Sequence, residues 1–305
     1  MQTCYHRPMR ALALVVLASC AKPTPVECPA AAASEFTATF DEGTLEASWP
    51  GTIEAPSSEA LRLVTTTPRR GARAVEFRVT AQATVNSGTR AELAWDSRDL
   101  EGSRAQYFFS ERLDATWPDF DRVKDAKGRP TWQILAQFHD QPDCTLGETW
   151  DSYAGSGNSP PIVVQSFWLT KQDPDVRSVF DSGKAVGVVG LSDATLERPL
   201  LGLLVGVPAE LRAVVPIEKA KWVDQRLDIT WSRDASGRVA WSVNGTLITT
   251  VEGRNMINAA PHYFKAGLYR NPDLMGDQVG QLDEVFVTHD ALRADAFERE
   301  LAKSR

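Results

Sequence analysis

Cysteine, histidine and long apolar runs are all scarce in this 305-residue chain, which holds four cysteines and four histidines. So few cysteines exclude a disulfide scaffold, and without a CxxC or a His/Cys cluster the sequence offers no zinc site. The one segment of membrane character, Ala11 to Ala18, is about eight residues long, far short of the roughly twenty that span a bilayer. Basic residues are in deficit: 33 Lys and Arg face 40 Asp and Glu, a formal charge of −7 and the opposite of a general nucleic-acid binder. What is present, 43% hydrophobic and 24% charged residues, is an ordinary globular composition, enough for one large domain or two small ones.

Arg7 and Arg10 precede the short apolar stretch and Leu17-Ala18-Ser19-Cys20 follows it, the layout of a targeting segment. It resembles a bacterial lipoprotein signal, which implies a signal peptide over 1–19, cleavage before Cys20 and a lipid on its sulfur. The resemblance places the protein in the bacterial cell envelope, anchored to a membrane (the outer one is expected) through Cys20, or secreted. Residues 20–35, with Pro23, Pro25 and Pro29 and an alanine run, read as a flexible tether. Loss of Arg7 and Arg10 leaves 31 basic residues against 40 acidic, a net charge of −9. Of the cysteines then remaining, Cys28 and Cys144 could pair in an oxidising compartment.

Residues 36–305 read as one domain, expected to be a monomer. Short alternating strands broken by Gly, Pro, Asn and Asp recur through it, for example Ala74 to Thr80 and Ala105 to Leu113. Val239, Trp241 and Val243 run into Asn244-Gly245, the dipeptide that suits a type I′ turn, and Leu247, Thr249 and Val251 return. The pattern predicts an all-β sandwich. One helix is expected over 290–303 on the sandwich exterior, capped by Asp290, with Leu292, Ala296, Phe297 and Leu301 as its apolar stripe. From Gln141 to Lys221 strand signals are weak, around Val163 to Leu169 and Val186 to Val189, and long loops are expected.

Three segments place polar residues at i, i+2 spacing, which in a strand means one face. Along Thr131 to His139, Trp132, Ile134, Ala136 and Phe138 oppose Gln133, Leu135, Gln137 and His139. Along Tyr263 to Tyr269, Phe264, Ala266 and Leu268 oppose Tyr263, Lys265, Gly267 and Tyr269. Arg90 and Glu92 oppose Ala91 and Leu93. With the apolar faces in one core, Arg90, Gln137, His139, Lys265 and Tyr269 gather on a concave surface. Singly each has an ordinary reading: a surface histidine, a cross-strand ion pair, solvated tyrosines. Gly267 is the harder one to dismiss, since glycine inside a strand marks close approach of a ligand or another backbone.

In this order, Thr89-Arg90-Ala91-Glu92-Leu93, Gln137-Phe138-His139 and Tyr263-Phe264-Lys265-Ala266-Gly267-Leu268-Tyr269 resemble the signature strands of jelly-roll polysaccharide lyases. Those are the family-seven alginate lyases (R-S/T-E-L, Q-I/V-H, Y-F-K-A-G-x-Y) and the relatives of heparin lyase I and glucuronan lyase. The sequence departs from the pattern at Ala91, at Phe138, and at Arg270, where Asn is common. The resemblance implies a jelly-roll sandwich and β-elimination on a uronate polymer: alginate, glucuronan or a heparin-like chain. It assigns Arg90 and Gln137 to the uronate carboxylate, His139 to the base or its partner, and Tyr269 to protonation of O4. Tyr269 could also take the C5 proton, with Lys265 and Arg90 as the cations a tyrosine base needs. Glu92 would orient Arg90 or Lys265, and Tyr263, Lys265 and Arg270 would bind substrate. Arg69, Arg70, Arg73, Arg254 and Arg270 are further candidates to line the groove. No organic cofactor is implied, and calcium occurs in some heparin lyase relatives without any spacing here that shows a site.

Two other readings stand beside this one. A carbohydrate-binding surface lipoprotein of the same fold would have no use for an acid and a base. A glycoside hydrolase of similar fold needs two carboxylates across the scissile bond, and no strand carries an E-x-D-x-x-E pattern.

Overall fold

The computed structural model describes residues 35–304 apart from 82, 87, 119–131, 154–158, 171–186 and 275. The signal peptide, most of the tether, Cys20 and Cys28 lie outside the described residues. Cys144 is disulfide-bonded.

Among the described residues, two antiparallel sheets of eight strands each form a sandwich. The first runs β14 (Thr246–Glu252), β13 (Arg238–Val243), β12 (Trp222–Thr230), β7 (Arg104–Leu113), β16 (Gln278–Thr288), β4 (Ala74–Val79) and β3 (Leu61–Val64), with β1 (Phe36–Ala38) also paired to β16. The second runs β11 (Glu210–Pro216), β10 (Pro199–Val205), β9 (Ile162–Trp168), β8 (Gln133–His139), β15 (Tyr263–Arg270), β6 (Gly88–Trp95) and β2 (Thr52–Glu54), with β5 (Thr84–Val85) also on β6. Hairpin runs (β12 to β14 and β8 to β11) are joined in each sheet to strands distant in the chain, as where β7 lies between β12 and β16 and β15 between β8 and β6, the long crossovers of a jelly roll.

Alternation builds the core. Val75, Phe77 and Val79 of β4 and Phe264, Ala266 and Leu268 of β15 are buried in a cluster with Trp231, Trp241, Phe109 and Phe138. The expected hairpin forms between β13 and β14, where Asn244 and Gly245 both take positive φ (50° and 77°), as a type I′ turn requires.

Among the described residues there are three α-helices: α1 (Leu45–Ser48), α2 (Trp150–Tyr153) and α3 (Ala291–Ala302). The Asp290 side chain accepts from the amides of Leu292 and Arg293 and starts α3 as expected. Its apolar stripe is phased differently. Ala294 and Leu301 are buried and Phe297 packs 4.6 Å from Phe286 and 5.3 Å from Phe108, whereas Leu292 is 79% exposed. Only the i, i+3, i+7 set from Ala294 meets the sheet. In the segment with weak signals, β10 and β11 extend the second sheet beyond β9, where loops were expected.

Candidate active site

The site is built on three adjacent strands, with β15 between β6 and β8. Register places Tyr269 opposite Arg90, Gly267 opposite Glu92, Lys265 opposite Gln137, and Tyr263 opposite His139. Lys265, Tyr263 and Tyr269 thus share the face turned from the core, as the alternation predicts. Gly267 earns its place by close approach: at φ 132° it stands where β15 slips register against β8, and a Cβ there would lie 2.4 Å from the Ala91 carbonyl oxygen.

β8 corrects the sequence expectation in its first half. Register against β9 shifts between Ile134 and Ala136, and such a bulge re-aims the side chains before it. Leu135 therefore joins the core, while the Trp132 ring packs 4.5 Å from Tyr269. Gln133 is buried and accepts from the Gln278 amide of the opposite sheet. Arg270 is also corrected. It has the parity of Phe264 and Leu268, so it points between the sheets, fully buried, and donates to the Gly276 carbonyl and to Gln278 Oε1, both at 2.8 Å. It is no groove residue. The other arginines considered for the groove are likewise engaged: Arg69 with Asp224, Arg70 with Glu284, and Arg73 and Arg254 with nearby backbone carbonyls.

The polar side chains form one connected row. Arg90 Nη1 donates to Glu54 Oε2 at 3.0 Å and to Glu92 Oε2 at 3.3 Å. Gln137 Nε2 donates to Glu92 Oε1 at 2.6 Å, and Lys265 Nζ to Glu54 Oε2 at 2.7 Å. The Arg90 guanidinium also lies 3.9 Å over the Tyr269 ring. Gly88 permits that stacking, since a Cβ there would meet Arg90 Nη2 at 2.5 Å and Tyr269 Cε2 at 2.6 Å. Glu92 thus pairs with Arg90 and holds Gln137 as well.

Charge states follow from the surroundings. Burial opposes the charge on Arg90, but Glu92 and Glu54 outweigh it and hold the guanidinium above its usual pKa. Burial also dominates Glu92, raising its pKa against the pull of Lys265 and Arg90. Burial raises Tyr263 well above an ordinary phenol, so it stays protonated and serves as an aromatic wall. That wall stacks on His139, with ring centroids 5.6 Å apart and planes 5° from parallel.

At His139, Nδ1 lies 2.6 Å from the Asp140 carboxylate and 3.1 Å from the Asp140 carbonyl, which leaves Nε2 as the edge able to take a proton. Asp140, Glu54, Trp132 and Trp150 are contributors that sequence reasoning missed. Asp140 follows directly on the Q-F-H motif and was the most findable. Glu54 belongs to a three-residue strand with no pattern of its own. Trp150, 56% exposed on α2, lies 5.9 Å from Tyr263 at the end of the row. Among the described residues no group of three or more His, Cys, Asp or Glu side chains is placed to hold a metal ion.

This arrangement of a tyrosine, a histidine and a cation–amide pair on one face of a sheet can be compared with known proteins. The endo-β-1,4-glucuronan lyase from the fungus Trichoderma reesei superimposes with a TM-score of 0.54 at 14% identity, over 83% of this chain and 94% of that one. The alginate lyase Aly36B gives 0.49 at 11% identity over 84% and 97%, and the family-seven alginate lyase A1-II′ gives 0.46 at 14% over 77% and 92%. The first of these likenesses supports the fold. No curated protein matches the chain by sequence. Residues 40–293, however, match the profile of the polysaccharide lyases, and with most of its length inside that match the chain belongs to the polysaccharide lyase family.

Proposed function

We propose that the enzyme cleaves a uronate-containing polysaccharide by β-elimination, using the row on β6, β15 and β8. The observation that supports this reading is that Arg90, Gln137, His139 and Tyr269 lie on three adjacent strands, Arg90 directly opposite Tyr269 and Gln137 two residues from His139. In this reading the uronate carboxylate lies against Arg90 and Gln137, whose cation and amide offset the charge that delocalises onto it once C5 is deprotonated. His139 Nε2 takes the C5 proton, the electron pair forms the C4–C5 double bond, and the C4–O4 bond breaks. Tyr269 returns a proton to O4. No water is consumed. Asp140, 2.6 Å from Nδ1, orients the imidazole, and Arg90 places positive charge beside the phenolate left on Tyr269.

Alginate, glucuronan and heparin-like chains are the substrates suggested by the motif resemblance, and two of them appear in the names of the fold's neighbours. The test is to incubate the protein with alginate, glucuronan, heparin, heparan sulfate, hyaluronan and pectate, with and without calcium, and follow the ultraviolet absorbance of the conjugated unsaturated uronate. A rise on at least one polymer that Tyr269→Phe abolishes is expected. Binding without any rise would favour the carbohydrate-binding reading instead. We place the reaction at a bacterial membrane surface through lipidation of Cys20, supported by the signal-like N-terminus; failure of Cys20→Ser to release the protein from membranes would overturn that placement.

A further inference from the structure

β2 is only three residues long, yet it is anchored closely to β6. The Trp49 indole donates to the Ala94 carbonyl at 2.9 Å, and Gly51 passes so near that carbonyl that a Cβ would lie 1.9 Å from its oxygen. Register then sets three rows across β2, β6 and β15, about 7 Å apart along the strands. Thr52, Ala94 and Lys265 form the first, Glu54, Glu92 and Gly267 the second, and Arg90 and Tyr269 the third. Gly267 contributes no side chain, so the middle row is open above β15. Lys265 reaches into it from one side and Arg90 from the other, and both meet the same atom: Glu54 Oε2 accepts from Lys265 Nζ at 2.7 Å and from Arg90 Nη1 at 3.0 Å.

The neighbouring carboxylate is already engaged. Glu92 Oε1 accepts from Gln137 and Oε2 from Arg90, and among the described residues Glu54 is the one hydrogen-bond acceptor of Lys265. Glu92 is the diagonal neighbour of Lys265 across β15 and β6, within reach of so long a side chain. Without Glu54 the Lys265 ammonium would turn to Glu92 and compete there with Gln137 and Arg90. We propose that Glu54 is a positioning residue for the elimination: its reach into the middle row keeps Lys265 off Glu92, which holds Gln137 in place and Arg90 over the Tyr269 ring. Glu54 itself touches no substrate in this account and acts through those side chains. The inference rests on the uronate-lyase reading above and adds to it a residue outside the three motif strands.

The test compares the full chain with Glu54→Ala, Glu54→Asp and Glu54→Gln on whichever polymer of the panel above the native protein cleaves fastest, measuring kcat, KM and melting temperature for each. Glu54→Ala should lower kcat about 100-fold, the cost of misplacing reacting groups by an ångström or so, with KM near the native value. Glu54→Asp keeps the charge but is one methylene too short to meet both cations, so it should lose nearly as much. Glu54→Gln keeps the length and an accepting oxygen, and should stay within about tenfold of native, the cost of turning charge-assisted hydrogen bonds into neutral ones. A merely structural role would lower the melting temperature and leave kcat of the folded fraction intact, and that result overturns the inference while the lyase reading stands. Glu54→Asp outperforming Glu54→Gln overturns it too, because charge instead of reach would be the determinant. A native protein that releases no unsaturated uronate from any polymer of the panel overturns the elimination reading and this inference together.

Discussion

The two outer faces of the sandwich use the same residue types for opposite ends. On the first sheet, Arg69 is buried in a two-point pair with Asp224 and also donates to the Leu301 and Ser304 carbonyls at the end of α3. Beside it Arg226 joins Asp228 on its own strand to Asp295 and Glu298 of the helix. Those cations meet partners from the same chain on every side and fasten α3 over Phe108 and Phe286. On the second sheet, Arg90 and Lys265 are shared among carboxylates on neighbouring strands, beside an aromatic ring each and with no helix docked over them among the described residues. A charged pair is therefore structural or functional according to what closes over it, and burial alone does not tell the two apart.

The comparison breaks most sharply at the proton-transfer group. Tyr269→Phe should lower kcat by about 10²–10⁴-fold, the usual contribution of a positioned acid or base, with its melting temperature near that of the native protein. Arg69→Ala should do the reverse. Leaving Asp224 buried without its cation should cost about 3–5 kcal/mol in denaturant unfolding, while KM of the folded fraction stays unchanged. A catalytic defect in Arg69→Ala at full folding would erase the distinction between the faces.

Smaller still is the expected effect of Trp150→Ala. Asn258 holds the segment that carries Trp150, donating to the Gln141 carbonyl at 2.8 Å and to the Tyr153 hydroxyl at 3.3 Å, and the exposed indole is expected to act as a platform for a sugar ring. Its loss should raise KM on long polymers by about tenfold, near 1.4 kcal/mol, and leave kcat and stability close to native values. An equal loss on the shortest cleavable oligomer would contradict the platform role.

Two histidines outside the row on β6, β15 and β8 sharpen the comparison by pH. Burial lowers His262 to about 4, beneath Trp231 on the second-sheet side, so the unfolded state binds the extra proton and stability falls as pH drops from about 6.5 towards 4. His289, behind the first sheet, has its pKa raised, chiefly by Asp99 2.6 Å from Nε2. Its contribution is complete below the unfolded value near 6.5 and is lost as pH rises through the higher folded value. Melting temperature should therefore fall on both sides of near-neutral pH. His289→Asn should flatten the alkaline limb alone, and an unaltered alkaline limb would remove His289 from the account.

How far the molecule was legible depends on regularity. β15 could be read residue by residue because Y-F-K-A-G-L-Y alternates along an extended strand, and the same parity already assigned Arg270 to the interior had it been applied one residue further. In β8 the alternation is true only after Ala136, because a bulge, which leaves no mark in the residue types, re-aims Gln133 and Leu135. The family motifs located Arg90, Gln137, His139 and Tyr269, but not Glu54, whose importance comes from pairing with β6 and from two cations distant in sequence. The phase of α3 depended on which residues meet Phe286, a tertiary fact that its own periodicity does not contain.

The central claim, elimination instead of hydrolysis, is tested most directly by digesting a cleaved polymer in water enriched in oxygen-18 and weighing the oligosaccharide ends. The account predicts products free of the label, each carrying an unsaturated uronate at the new non-reducing end and lighter by one water than a hydrolysis product. One labelled oxygen per cleavage, with no unsaturated terminus, would contradict it.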